Sequence, residues 1–264
     1  METTSLFSYA LIALGAFMGG GMNALAGGGT FFSFPALLAA GVPPVMANAS
    51  NSVALWPASL LNAWGYRHEL QRHGKWVVVL ALVSALGGLA GGLLLLSTSN
   101  AAFSKLIPWL LLVATLLFAF SSQVSLWVAV VKGWLGAGVA LERKPGSLGG
   151  ASFQFVVAIY GGFFGAGLGI LTLAALAIQG FKDMQELNAL KNLSSSVNYT
   201  MAALTFIIAG AISWPHTLVM LVAALAGGRA GTVLARRLPA LWLKRVVIAV
   251  GSLLTVVYFV KTGF

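Results

Sequence analysis

Residues 27–41 read Gly27-Gly28-Gly29-Thr30-Phe31-Phe32-Ser33-Phe34-Pro35-Ala36-Leu37-Leu38-Ala39-Ala40-Gly41. A short apolar stretch is fenced by a glycine run on one side and a lone glycine on the other. As a helix it reaches roughly 18 Å, well under a hydrocarbon core of about 30 Å. The arrangement returns in the second half. Gly165-Ala166-Gly167-Leu168-Gly169 opens another short apolar stretch, which closes at Gly180.

The likeness extends on both sides. A polar segment opens the next apolar element in each half: Ala47-Asn48-Ala49-Ser50-Asn51-Ser52-Val53 and Leu187-Asn188-Ala189-Leu190-Lys191-Asn192-Leu193. Asn48 pairs with Asn188, Asn51 with Lys191 and Ser52 with Asn192. Further on, Gly87-Gly88-Leu89-Ala90-Gly91 answers Gly227-Gly228-Arg229-Ala230-Gly231. Shared features in one order mark an internal duplication. The apolar elements expected are 6–26, 30–41, 45–66, 76–97 and 106–131, then 151–165, 168–180, 188–212, 214–235 and 241–260. The pattern in each half is long, short, long, long, long.

Composition places these elements in lipid. The chain has 264 residues, 59% of them hydrophobic and 8% charged, with mean hydropathy +0.94. A soluble domain carries about a quarter charged residues. The formal net charge of +10 would otherwise suggest nucleic acid. In a membrane protein it reflects Lys and Arg collecting in cytoplasmic loops, so no nucleic-acid partner is expected. Absence of cysteine excludes disulfides and thiolate metal sites, and His68, His73 and His216 are scattered. No cofactor or metal is expected. The N-terminal stretch lacks a positive n-region and reads as the first membrane element, not a cleaved signal.

Basic residues set the orientation. With every element crossing and the N-terminus outside, the inner segments carry Arg67, Arg72, Lys75, Lys132, Arg143, Lys144, Lys182, Lys191, Arg229, Arg236, Arg237, Lys244 and Arg245. Only Lys105 and Lys261 fall outside. If the short elements dip and return, the two sides carry nearly equal numbers, so the positive-inside rule favours five crossings per half. Five is odd, so the second half is inverted. The fold expected is an all-α polytopic membrane protein with two inverted five-element helical repeats, each containing one short broken helix. Residues 1–131 form the first repeat, 132–150 a cytoplasmic linker and 151–264 the second. Both termini are expected outside a bacterial inner membrane.

Glycine runs at membrane depth survive where freed backbone lines a cavity or is covered by protein. A short helix after such a break aims partly positive N–H groups inward, which suits a small anion. The candidate binding residues are Gly28, Gly29 and Thr30 with Gly165, Gly167 and Gly169 at the junctions. Asn48, Asn51 and Ser52 share one helical face beside them, and Asn188, Lys191 and Asn192 share the corresponding one. Lys191 supplies a full charge, and an ionisable residue within a membrane element is a functional candidate. Its alternative is an anchoring pair with Glu186 or Asp183. Arg229 either snorkels to the interface or guards an inner mouth. Gly15, Gly19, Gly87 and Gly91 read as close-packing positions. Trp76, Trp109, Trp127, Trp214 and Trp242 read as interfacial anchors. The five acids, Glu2, Glu69, Glu142, Asp183 and Glu186, all fall in loops or at element ends. No buried carboxylate pair is available for acid–base work, and the chain is not expected to be an enzyme.

The Gly27-Gly28-Gly29 junction, the Leu37-Leu38-x-x-Gly41 ending and the Ala47-Asn48-Ala49-Ser50 opening resemble the TauE/SafE sulfite exporter family. So do Tyr160-Gly161-Gly162-Phe163-Phe164-Gly165-Ala166-Gly167-Leu168-Gly169, then Asn188-Ala189-Leu190-Lys191, then the helix ending in Arg236-Arg237-Leu238. The resemblance covers essentially the whole chain. It implies a secondary transporter of sulfite, sulfoacetate or other organosulfonates, exporting by alternating access. Its partners are a small anion and the lipid bilayer, with coupling to H+ or Na+ and oligomerisation left open. The departure lies at Ala47-Asn48-Ala49-Ser50-Asn51, where the family usually has Ala-x-Gly-Thr-Ser. An anion channel, a small-carboxylate carrier, or a membrane enzyme or assembly factor of sulfur metabolism are the alternatives.

Overall fold

Apolar runs punctuated by glycine, proline and short polar caps give helices and no strand among the described residues. The computed structural model describes residues 6–25, 28–71, 74–121, 148–181, 183–235 and 240–263. Most of the expected linker (132–150) lies outside the described residues, as do Gly27, Trp127, Lys182, Arg236 and Arg237.

The first half comprises α1 (Leu6–Leu25), α2 (Thr30–Ala39), α3 (Pro44–Gly65), a single turn α4 (Arg67–Leu70), α5 (Gly74–Leu96) and α6 (Asn100–Phe120). The second comprises α7 (Leu148–Phe163), α8 (Leu168–Ile178), α9 (Met184–Ile208), α10 (Trp214–Ala235) and α11 (Ala240–Thr262). Pro44 and Met184, Gly74 and Trp214, and Asn100 and Ala240 each open helices 140 positions apart. Polar caps lengthen two helices beyond their apolar stretches. Ser99 Oγ accepts the Ala102 N–H, so α6 starts six residues before position 106. Asp183 accepts the N–H groups of Gln185 and Glu186, so α9 starts at Met184 and not 188.

Among the described residues, four helices are long and apolar enough to cross a membrane, over Leu6–Asn23, Trp76–Leu96, Asn100–Phe120 and Lys244–Thr262. Helices α3, α9 and α10 are comparably long at 22, 25 and 22 residues but more polar. In α3 and α9 the polar side chains turn inward: Asn48, Asn51, Ser194 and Asn198 are all buried. Leu82 and Leu86, Leu218 and Val222, and Leu253 and Val256 point outward, one turn apart, as lipid-facing rows do. Trp109, Trp214 and Trp242 are exposed, whereas Trp76 is buried and stacks on Phe181.

Packing relates the halves pair by pair. Helix α1 lies along α10 as α5 lies along α7; α3 meets α10 as α9 meets α5. Helix α3 also pairs with α9, and α6 with α11. Glycine makes the first two contacts close. A Cβ at Gly227 would overlap the Phe17 carbonyl, and one at Gly91 would overlap that of Ile159. Each short helix turns back along its long predecessor. Gly19 faces Gly29 and Ser33 while Gly15 faces Phe32 and Ala36, and Gln179 at the end of α8 returns beside Gly150. Phe34 of α2 packs edge-on against Phe164 at the other junction, with ring centroids 5.6 Å apart.

Candidate functional site

The two junctions use glycine differently. Gly165 and Gly167 have φ of 79° and 76°, a left-handed conformation that glycine alone adopts freely, and turn the chain from α7 into α8. Gly29 has ordinary helical angles as the N-cap of α2 and is needed for space, since its Cβ would stand 2.9 Å from that of Asn23. Tyr160 Oη donates to the Ala166 carbonyl at 2.7 Å and pins the second turn. At the start of α8 the N–H groups of Leu168, Ile170 and Leu171 bond back to Gly165 and Gly167. The first turn of a helix leaves N–H groups without intrahelical partners, and here that of Gly169 stays outside this ladder.

Gly169 lines a cavity of about 60 Å³ shared with Gly165, Lys191, Asn192, Ser195 and Tyr199, and closed on the first-half side by Asn23, Ser59 and Asn62. A buried water needs roughly 10–15 Å³, so the space suits a few waters or one small oxyanion. Lys191 Nζ donates to Asn188 Oδ1 at 3.2 Å, and Asn188 Nδ2 donates to the Met184 carbonyl at 2.9 Å. Asn188 therefore orients the lysine from outside the cavity. No carboxylate lines it among the described residues, so one ammonium faces amides, hydroxyls and a helix N-terminus. Such a set matches the oxygens of a small anion. Arg229 lines a neighbouring cavity that shares Asn62 with this one.

The first-half residues are arranged otherwise. Asn51 accepts from Ser33 Oγ and reaches Thr30 Oγ1 at 3.5 Å, holding the first turn of α2. Asn48 Nδ2 donates to the Phe163 carbonyl at 2.8 Å, satisfying the end of α7. Ser52 bonds back to the Asn48 carbonyl. Gly28 is enclosed by Phe118 and Val247. None of these lines the cavity. Tyr199, which lines the cavity, has its phenol beside Gly165.

Ser59, Asn62, Ser195 and Tyr199 were not among the sequence candidates. Two of the four were within reach of helix geometry and a third within reach of the repeat. Ser195 and Tyr199 follow Lys191 at i+4 and i+8, and Ser59 is the position 140 residues before Tyr199. Asn23 lines the cavity, while Gln154 lies elsewhere and donates to Ser194 Oγ at 3.0 Å.

Residues 11–258 match the family model described as Sulfite exporter TauE/SafE. The chain is 29% identical to a probable membrane transporter protein of Haemophilus influenzae, covering 80% of this chain and 78% of that one. It is 27% identical to the probable membrane transporter protein YfcA of Escherichia coli K12, over 88% of this chain and 84% of the relative. A probable membrane transporter protein from Sinorhizobium is 24% identical over 88% and 85%. No solved structure matches the chain.

Proposed function

The chain belongs to the TauE/SafE family of membrane transporters, and from that premise we propose that it exports small sulfur-containing anions such as sulfite, sulfoacetate or other organosulfonates by alternating access. One observation supports this most: the cavity where Lys191, Asn192 and Ser195 stand at the N-terminus of α8. The ammonium and the helix end attract the anion, and amides and hydroxyls replace its hydration shell. Asn188 positions the lysine, and Gly165 and Gly167 give the backbone its approach. Gly28, Gly29, Thr30, Asn48, Asn51 and Ser52 form the matching half-site, which closes on the anion when the repeats rock.

Residues 1–131 and 151–264 are the repeats, inverted relative to each other and joined by a cytoplasmic linker, with both termini outside the inner membrane. The recurrence of helix starts at 140 positions and the matched packing pairs support this arrangement. The cavity is built from the ends of α1 and α3 and the start of α9, which the basic residues place toward the cytoplasm. It corresponds to an inward-open state.

Uptake of labelled sulfite and sulfoacetate into inside-out proteoliposomes tests the reading. Saturable flux with counterflow is the expected result. Unsaturable flux would make the protein a channel, and chemical conversion of the anion would make it an enzyme.

A further inference from the structure

A second polar cluster lies on the other side of α9. Ser84 of α5 and Ser194 of α9 share a hydroxyl hydrogen bond of 2.8 Å, and Gln154 of α7 donates to Ser194 Oγ at 3.0 Å. Asn198 donates to the Ala158 carbonyl at 2.7 Å and reaches the Ser84 carbonyl at 3.4 Å. All four side chains are at most 1% exposed. Two oxygens remain without a donor, Gln154 Oε1 and Asn198 Oδ1.

Interhelical glue does not account for this seam. The positions 140 residues from Ser84, Ser194 and Asn198 are Ala224, Ala54 and Ala58, where α10 packs against α1 and α3, and that from Gln154 is the exposed Leu14. Ala54 and Ala224 are fully buried. The two serines and the asparagine of this crossing are therefore alanines in the other half. A half-satisfied polar network costs stability that the alanine seam avoids, and buried acceptors without donors call for a ligand.

Both atoms left without any partner, Gln154 Oε1 and Asn198 Oδ1, are acceptors. Asn198 Oδ1 faces the last turn of α7, 2.8 Å from where a Cβ would stand on Gly161. The C-terminal end of a helix carries partial negative charge, and broken transporter helices offer cations such ends. Divalent ions require carboxylates, and none belongs to this seam among the described residues. We propose that Ser84, Gln154, Ser194 and Asn198 form a Na+ site between α5, α7 and α9, with Asn198 toward the end of α7. As a coupling site it rests on the transport reading above. Ser194 and Asn198 are followed directly by Ser195 and Tyr199, which line the anion cavity. An ion that fixes this stretch of α9 fixes those two groups, so each ligand raises the affinity of the other.

Melting of the purified protein in sodium chloride against choline chloride, at equal ionic strength and without added organic anion, tests the ion site alone. Saturating Na+ raises the midpoint by about 5 °C. Asn198→Ala loses that rise, and so does Ser194→Ala, which installs the residue of the other seam and keeps the fold if the asparagine variant does not. Equal midpoints in the two salts overturn the proposal and leave the amide oxygens hydrated. So does a Na+ response that survives in a folded Ser194→Ala protein. Sulfite affinity in the two salts then separates the readings. Na+ stabilisation without sulfite binding leaves the ion site and sinks the anion reading; sulfite binding without Na+ stabilisation does the reverse.

Discussion

Gly227 and Gly228 are neighbours on α10, yet alanine at the two positions has opposite consequences. At Gly227 the new methyl would overlap the Phe17 carbonyl and crowd the Phe17 backbone. No rotamer relieves a clash with backbone, so α1 and α10 must separate. A gap of 0.5–1 Å forfeits about a quarter to a half of each dispersion contact along the crossing. Overpacking of this kind costs about 1–3 kcal/mol. At Gly228 the nearest atom to the methyl is the Gly20 carbonyl oxygen, 3.7 Å away, which is ordinary contact. There alanine gains about 1 kcal/mol from helix propensity. The two variants should therefore differ by about 2–4 kcal/mol. At about 2–4 °C per kcal/mol that separates their melting points by several degrees. Intrinsic fluorescence of the eight tryptophans reports unfolding in detergent. Equal midpoints, or a lower one for Gly228→Ala, would refute the claim that backbone contact sets the α1–α10 crossing.

Three other outcomes follow from the geometry. Asn48→Ala leaves the half-buried Phe163 carbonyl without its donor and lowers stability by about 1–3 kcal/mol in the same melting assay. Trp56→Phe removes the 2.8 Å hydrogen bond to Thr200 that joins α3 to α9, at a cost of about 1 kcal/mol, with apolar packing retained. Single cysteines report orientation without background, because the chain has none of its own. A cysteine at Gln71 should react with an impermeant reagent only after permeabilisation, and one at Ala211, its counterpart 140 residues on, in intact cells; both on the same side would overturn the inverted topology.

The glycine fences around 30–41 and 168–180 located both short helices in the sequence, because a helix break needs a residue type that is rare elsewhere in an apolar run. Helix starts at Asn100 and Met184 were missed, because a single capping hydroxyl or carboxylate outweighs several polar residues. Lys191, Asn192, Gly165 and Gly169 were named from chemistry and spacing, and the fold brings them to one cavity. The Asn48, Asn51 and Ser52 face was equally visible, yet these side chains bond to the ends of α7 and α2 and to their own helix. A sequence gives the face on which a residue lies but not which neighbour occupies it. Asn62 joins the site only because α3 crosses α9, a contact between residues far apart in the chain.

Equilibrium binding of sulfite and sulfoacetate to the purified protein, with Lys191→Ala beside the wild type, tests the central claim most directly. A charge-assisted hydrogen bond is worth about 1.5–3 kcal/mol, so the variant should bind roughly ten- to a hundredfold more weakly while melting as the wild type does. Unchanged affinity in Lys191→Ala would contradict the account and move the anion away from the start of α8.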